Sequence, residues 1–211
     1  MTETENKILD AAERLFSEQG YAATSLRHII ADAGVNLAAI HYHFGSKEDL
    51  LSQLIMRKAA PVNEERLALL DRLEAEAGPN PPPVEKILEA FLAPPLRRIQ
   101  VNPALVKLMG RMYGEGLMPM IAERHFQNVV NRFTTSFGRA LPQLSGVQLK
   151  LRLQFMVGAM AHSMFVLPVT SVACSGAEYD AVSLTRELVS FLSAGLRAPA
   201  PRPVAIEETS R

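Results

Sequence analysis

Apolar residues recur every three to four positions along most of the chain, in blocks separated by glycine, proline or capping residues. Ile8, Leu9, Ala12, Leu15 and Phe16 form the first stripe, which Gly20 ends. Thr24 or Ser25 caps a short second helix, LRHIIADA, whose inward positions are Leu26, Ile29, Ile30 and Ala33, and Gly34 closes it. Asn36 caps a third helix, LAAIHYHF, ending at Gly45. Ser46 and Asp49 stand at capping-box spacing and open a fourth, with Leu50, Leu51, Leu54 and Ile55 inward, that continues to Ala77. The stretch Gly-Pro-Asn-Pro-Pro-Pro at 78–83 is a loop. Beyond it the pattern predicts helices over 84–100, 103–114, 118–141, 146–167 and 178–196. From Pro199 to Arg211 the chain is polar and proline-rich, and that tail is expected to be disordered. No stretch alternates as a strand does, and no internal repeat appears. The expected fold class is all-α.

Composition narrows the class. The chain has 211 residues and 48% hydrophobic residues, enough for a substantial core, and a formal net charge of zero. Residues 1–58 carry six Lys/Arg against eight Asp/Glu, which argues mildly against nucleic acid. The acids, however, gather in the first helix and at Glu48 and Asp49, and between Gly20 and Lys47 the only acid is Asp32. Local charge decides how closely phosphates approach. Cys174 is the only cysteine, so neither an intrachain disulfide nor a cysteine-based zinc site is expected. The acid-rich start is not a signal-peptide pattern, and the most apolar stretch, Phe155 to Cys174, is interrupted by His162, Ser163 and Pro168. The expectation is a cytoplasmic protein with no membrane partner, no metal and no cofactor.

Residues 25–44 carry the most specific pattern. A helix of about eight residues, a turn at Gly34-Val35-Asn36 and a second short helix make a helix-turn-helix. Gly34 lets the backbone turn, Val35 and Ile40 plug the angle, and the second helix fits a major groove about 12 Å wide. The string TSLRHIIADAGVNLAAIHYHFGSKEDLL resembles the DNA-binding signature of the TetR family of transcriptional regulators over roughly residues 7–55. That resemblance implies an N-terminal three-helix head at 1–50, a helical ligand-binding and dimerisation body at 51–198, and a tail at 199–211. It also implies roles. Thr24 and Ser25 would meet phosphate at a helix N-terminus, and Arg27 would reach a base edge or phosphate. Asn36, Leu37, Ala38 and Ala39 would form the leading turn in the groove. Because Leu37 and Ala38 are apolar, readout would lean on thymine methyls, Arg27 and DNA shape. His41 and Tyr42 would flank phosphates, Lys47 would supply a cation, and Lys7 would touch the backbone from the first helix. Phe44 reads as head packing and His43 as a structural hydrogen-bonder. His41 and His43 lie too far around a helix to chelate one metal.

The body reads two ways. Phe126, Val130, Phe133 and Phe137 share a face of helix 118–141, and Met156, Met160 and Met164 share one of 146–167. Such stripes are core, or they are the adaptable wall of an apolar pocket. In the pocket reading Phe91, Leu108, Met112, Phe126, Val130, Phe133, Met156 and Met160 touch the ligand. From the family likeness, 146–167 and 178–196 pair across a homodimer, with Leu184, Leu188, Val189 and Leu192 as the seam. Nine Lys/Arg between Arg97 and Arg152 face only Glu115 and Glu123. They form a solvated face, or a basic rim suited to a fatty acid or acyl-CoA. GVNLAAIHYHFGSKEDL and RALPQLSGVQLKLRLQFMVGAMAHSM resemble the fatty-acid-responsive PsrA-type branch of the family. The expectation is a repressor that binds a palindromic operator on double-stranded DNA as a dimer. A small hydrophobic effector, a fatty acid or acyl-CoA in the first reading and a hydrophobic drug in the second, would release it. An enzyme is disfavoured, because no metalloprotease, nucleophile-elbow or phosphate-loop motif occurs. A helical protein-interaction adaptor is the rival from another class. His162, alone on an apolar helix, reads as a core or interface residue.

Overall fold

The computed structural model describes residues 2–101, 103–165 and 180–199, except the side chains at 37, 39, 99–101, 103–104 and 165. Expectations for the tail beyond Pro199 and for Cys174 fall outside the described residues. The elements are all helices: α1 (Glu3–Gln19), α2 (Leu26–Ala33), α3 (Leu37–His43), α4 (Lys47–Ala77), α5 (Val84–Val101), α6 (Pro103–Gly114), α7 (Met118–His125), α8 (Gln127–Ala140), α9 (Gly146–Phe165) and α10 (Ala181–Arg197). No strand occurs among the described residues, so the architecture is all-α. None of their helices is long and apolar enough to cross a membrane.

Local chemistry sets the ends. Thr2 and Glu5 form a reciprocal capping box on α1. Ser25 Oγ accepts from the His28 N–H at the start of α2, and Ser46 Oγ accepts from the Asp49 N–H at the start of α4. Gly34 ends α2 in the left-handed region, φ 64° and ψ 34°, a conformation that would strain most other residues. One expected helix divides: 118–141 is α7 and α8, parted at Phe126, where φ −114° and ψ 1° tilt the axis. No glycine marks that bend, and the helical hydrogen bonds from Phe126 N to Ala122 O and from Val130 N to Phe126 O persist on either side.

Two apolar cores follow. The first joins α1 to α3 and the start of α4 through Ile8, Leu9, Phe16, Ile29, Ile40, Phe44 and Leu50, and it takes in Leu108 and Met112 of α6 and Ile121 of α7. The second joins the end of α4 to α5, α8, α9 and α10 through Leu70, Ile87, Phe91, Phe133, Phe137, Met156 and Leu192. Residue 50, expected to close the head, lies inside α4, which runs from one core to the other.

α5 carries Pro94 and Pro95 within the helix. Neither can donate a backbone hydrogen bond, so the carbonyls one turn earlier, at Ala90 and Phe91, lose their usual partners. The Arg66 Nε–H on α4 donates to Phe91 O at 2.8 Å and fills one of the two.

Candidate nucleic-acid interface and its connection to the body

α2 and α3 are held by Ile29 and Ile40, both buried, and by the turn at Gly34. The opposite side is open. Ser25, Arg27, His28, Asn36, Ala38, His41 and Tyr42 are exposed, Tyr42 by 86%. Arg27 has no hydrogen bond or ion pair among the described residues. Asp32, the one acid of this stretch, forms an ion pair with Arg14 of α1, which removes the charge that would repel phosphate. The His41 Nδ1–H donates to Gly45 O at 3.1 Å, since a carbonyl only accepts, and this fixes the ring with Nε2 outward. Leu37 and Ala39 belong to α3, but their side chains lie outside the described set.

Three expected contacts need correction or qualification. Thr24 is 1% exposed, and its hydroxyl donates to Gly20 O at 2.7 Å and Leu15 O at 3.3 Å, so it ties the head together and does not meet phosphate. Lys47 Nζ donates to Tyr21 O and Thr24 O, each at 2.8 Å, and lies 4.2 Å from the Tyr21 ring centroid. Its ammonium therefore serves the turn between α1 and α2, with one of three donors left for anything else. Lys7 is exposed and paired with Glu3 at 2.7 Å. His43 pairs with Glu5 at 3.2 Å in a half-buried position, and Phe44 is buried. The Thr2 backbone N–H, and then His43, hold the Glu5 carboxyl below the usual carboxylate range. His28 is a further exposed side chain of α2, one that the sequence motif does not single out. Its signal was its place next to Arg27, immediately before the inward Ile29 and Ile30.

The head is fastened to the body by α6. Arg111 donates from Nε to Ser17 O at 2.9 Å and from Nη2 to Glu18 O at 2.7 Å. One turn on, the Glu115 carboxylate accepts from Tyr21 N at 3.1 Å and Ala22 N at 3.2 Å. A cation thus meets the carbonyl end of α1, and an anion meets the N–H groups of the following turn. Gly20 between them has φ 90°, and a Cβ there would overlap the Glu115 carboxylate. Ser52 Oγ and His125 Nε2 share a 2.8 Å hydrogen bond that joins α4 to α7.

The expected ligand contacts divide between the two cores. Phe91, Phe133, Met156 and Met160 gather in the second, where the Phe91 and Phe133 rings meet edge to face at 5.1 Å. Leu108, Met112 and Phe126 belong to the first, against the head. Val130 is a correction: it is 47% exposed, because the bend at Phe126 turns the inward face of α8 toward Val129 and Phe133. A cavity of about 270 Å³ lies elsewhere, between α5 and α10, lined by Glu89, Ala93, Arg97, Ala181, Thr185 and Val189 among others. The basic-rim reading is corrected too. Arg97 pairs with Glu65, Arg132 with Asp71 and Glu74, Arg139 donates to Pro79 O, and Arg152 binds the carbonyls that end α10. With Arg111, five of the nine cations hold the fold. The buried cation that matters, Arg66, was missed. Its signal was an arginine spaced by four from Val62 and from Leu70 on one apolar face.

The expected dimer seam also faces inward. Leu188 and Leu192 are buried, and Leu184 and Val189 pack on the same second core. α9 and α10 each have a second apolar stripe, and that is the one left open: Val147, Leu151 and Phe155 on α9, Val182 and Phe191 on α10. Phe155 is 62% and Phe191 73% exposed. His162 is exposed on the outer side of α9.

Comparison with known proteins gives this arrangement its context. A family model described as bacterial regulatory proteins, tetR family, matches residues 8–54, and one described as tetracyclin repressor-like, C-terminal domain, matches 89–195. The transcriptional regulator AcrR of Shigella flexneri is 52% identical over 52 residues, 25% of this chain and 24% of that protein. TtgR of Pseudomonas putida is 43% identical over 53 residues, 25% of each chain. The chain thus spans about a quarter of the length of these curated relatives. The structure of the fatty acid degradation regulator FadR from Bacillus halodurans matches with a TM-score of 0.61 at 20% identity, covering 94% of this chain and 99% of that one. FadR from Bacillus subtilis, in complex with stearoyl-CoA, matches at 0.59 and 18% identity, covering 90% and 98%. At such identities the likeness speaks to the fold. With one family model on the helix-turn-helix and another over about half of the chain, the protein belongs to the TetR family of bacterial transcriptional regulators.

Proposed function

We propose that the protein is a homodimeric repressor whose α3 helices enter successive major grooves of an inverted-repeat operator and whose body releases DNA on binding an apolar effector. The observation that carries this reading is the outer side of α2 and α3, where Arg27, His28, Ala38, His41 and Tyr42 are open and the one local acid is already paired. Arg27 and Tyr42 are the first residues to contact DNA in this reading, with Ser25, Asn36, Leu37, Ala39 and His41 around them. The two heads must lie about 34–36 Å apart to meet B-form DNA.

A second copy of the chain is the partner we assign to the open stripe of α9 and α10. Phe155, in line with Val147 and Leu151 on α9, and Phe191 on α10 are both more than half exposed, apolar surface of the kind that marks an interface. The pairing is isologous, each copy giving both helices.

The effector we propose is a long-chain fatty acid or its acyl-CoA. Support comes from the Phe- and Met-lined second core and from the fold neighbour crystallised with stearoyl-CoA. A ligand that opens this core moves α5 and α9, against which α6 packs, and α6 holds the head by Arg111 and Glu115. A coupling of about 1–3 kcal/mol corresponds to a loss of operator affinity of some 5- to 150-fold.

The test is anisotropy titration of the protein on inverted repeats taken from DNA upstream of its own gene, at several salt concentrations. Sequence-specific, salt-dependent binding that weakens on adding a fatty acid or acyl-CoA is the expected result. Binding without sequence preference would favour the adaptor reading, and release only by neutral hydrophobic drugs would replace the effector class.

A further inference from the structure

Arg66 is the one cation of the described body set wholly inside the second core. Its Nε–H donates to Phe91 O at 2.8 Å, Nη1 to Asn63 Oδ1 at 3.2 Å and Nη2 to Met160 Sδ at 3.5 Å, while the guanidinium carbon stands 4.0 Å from the Phe91 ring centroid. No carboxylate among the described residues pairs with it. Repair of the proline-broken α5 explains the Nε contact and no more. A neutral donor such as glutamine would serve a carbonyl without bringing a full charge indoors, where an unpaired ion costs several kcal/mol. The outer edge of the fork rests on an amide oxygen and a thioether, and sulfur is a weak acceptor. Burial accordingly pulls the group well below the ordinary arginine range, down to about 9, with no opposing acid. Phe91 and Met160 touch it, Phe133 packs on the Phe91 ring, and Met156 belongs to the same adaptable core.

We infer that Arg66 is the receptor for the head group of a carboxylic acid with an apolar body, which replaces the Met160 thioether on the guanidinium fork. This rests on the ligand-responsive reading above and narrows it. A guanidinium and a carboxylate form parallel hydrogen bonds, here from Nη1 and Nη2 once the thioether gives way, and in a core screened from water that pairing is strong. A free fatty acid carries its charge directly on the apolar chain and brings it to this place. An acyl-CoA has a neutral thioester there and holds its phosphates far away on a bulky nucleotide. The site therefore selects the free acid over its thioester, and over the alcohol of the same length.

Calorimetry on the full chain with dodecanoate, dodecan-1-ol and dodecanoyl-CoA tests this. Dodecanoate is expected to bind roughly 10- to 100-fold more tightly than the alcohol, the range of one buried charge-assisted pairing. Arg66→Met is expected to bring acid and alcohol near parity while circular dichroism still shows a helical protein. Should that variant fail to fold, the wild-type Arg66 Nε–H resonance decides, shifting with dodecanoate and not with dodecan-1-ol. Equal binding of acid and alcohol, tighter binding of the thioester, no binding of any of the three, or an acid preference that survives in a folded Arg66→Met would overturn the assignment. Operator binding measured without ligand reports on the repressor proposal separately: its absence sinks that reading while an acid preference can still stand.

Discussion

Thr24 and Arg27 stand three positions apart on one short segment and face opposite ways. The Thr24 hydroxyl is enclosed and donates to two main-chain carbonyls, so its contribution is to stability. Thr24→Val keeps the shape and removes the donor, and is expected to lower unfolding free energy by about 1–2 kcal/mol in denaturant titrations, with operator contacts intact. Arg27 is exposed and unengaged among the described residues, and in the proposed reading its contribution is to binding. Arg27→Ala is expected to weaken operator binding by about 1–3 kcal/mol and to relax preference at one base pair, read by anisotropy across operator variants at fixed salt. An equal loss on every sequence would make it a phosphate contact. The two fates were not separable in the sequence. A hydroxyl before a helix can cap it, meet a phosphate or fold back on the previous turn, and only the path of residues 20–24 decides which.

At the scale of elements, periodicity located nearly every helix because a helix buried along one side must repeat its apolar residues every three to four positions. Two features escaped it. The bend at Phe126 leaves the hydrogen bonds of both flanking turns in place and needs no glycine, so no residue type announces it. The outer stripe of α9 escaped because Met156, Met160 and Met164 make a stripe of their own on the opposite side, and a stripe alone does not say whether it faces its own chain or another. In the sequence α6 stands out by its greasy residues, Leu108 and Met112, while its hydrogen bonds to the head come from Arg111 and Glu115. Glu115→Ala is expected to leave effector binding unchanged while the effector-induced drop in operator affinity falls to less than about 3-fold, measured in the same titration with and without ligand. A full drop in that variant would move the coupling to the Ser52–His125 contact between α4 and α7.

A second element-level contact gives a pH dependence. Arg197 of α10 holds Glu85 of α5 by both oxygens, one of them at 2.8 Å, and its hydrogen bonds keep the carboxyl at about 2. Glu85 binds a proton more weakly in the folded chain than in the unfolded one. The stabilisation is therefore complete above the ordinary carboxylate value near 4.5 and is lost as pH falls from there toward about 2. Both side chains are substantially exposed, so water and salt limit the effect to less than about 1 kcal/mol. Melting of Glu85→Gln against the parent at pH 7 and pH 2.5 should show a gap at the first that closes at the second.

For the whole molecule, the open aromatic pair on α9 and α10 bears on assembly through the seam proposed between two copies. Phe155→Glu puts a charge in the middle of the proposed seam, and sedimentation is expected to show a folded monomer at concentrations where the parent is a dimer. A central aromatic anchor commonly carries 2 kcal/mol or more, roughly a 30-fold change in dimer dissociation. Operator affinity should fall with it, because one head alone meets one half-site. A variant that stays dimeric would place the partner on another face.

Beside the apolar contact of Leu108 and Met112, the hydrogen bonds that fasten α6 to the head go to main-chain atoms: the carbonyls of Ser17 and Glu18 and the N–H groups of Tyr21 and Ala22. Every amino acid except proline offers those same groups. The residues that name a DNA target can therefore drift, or be exchanged wholesale for those of a cousin, without the grip from below noticing. A sensor of the kind proposed, built this way, is a socket, and inheritance is free to try new plugs in it.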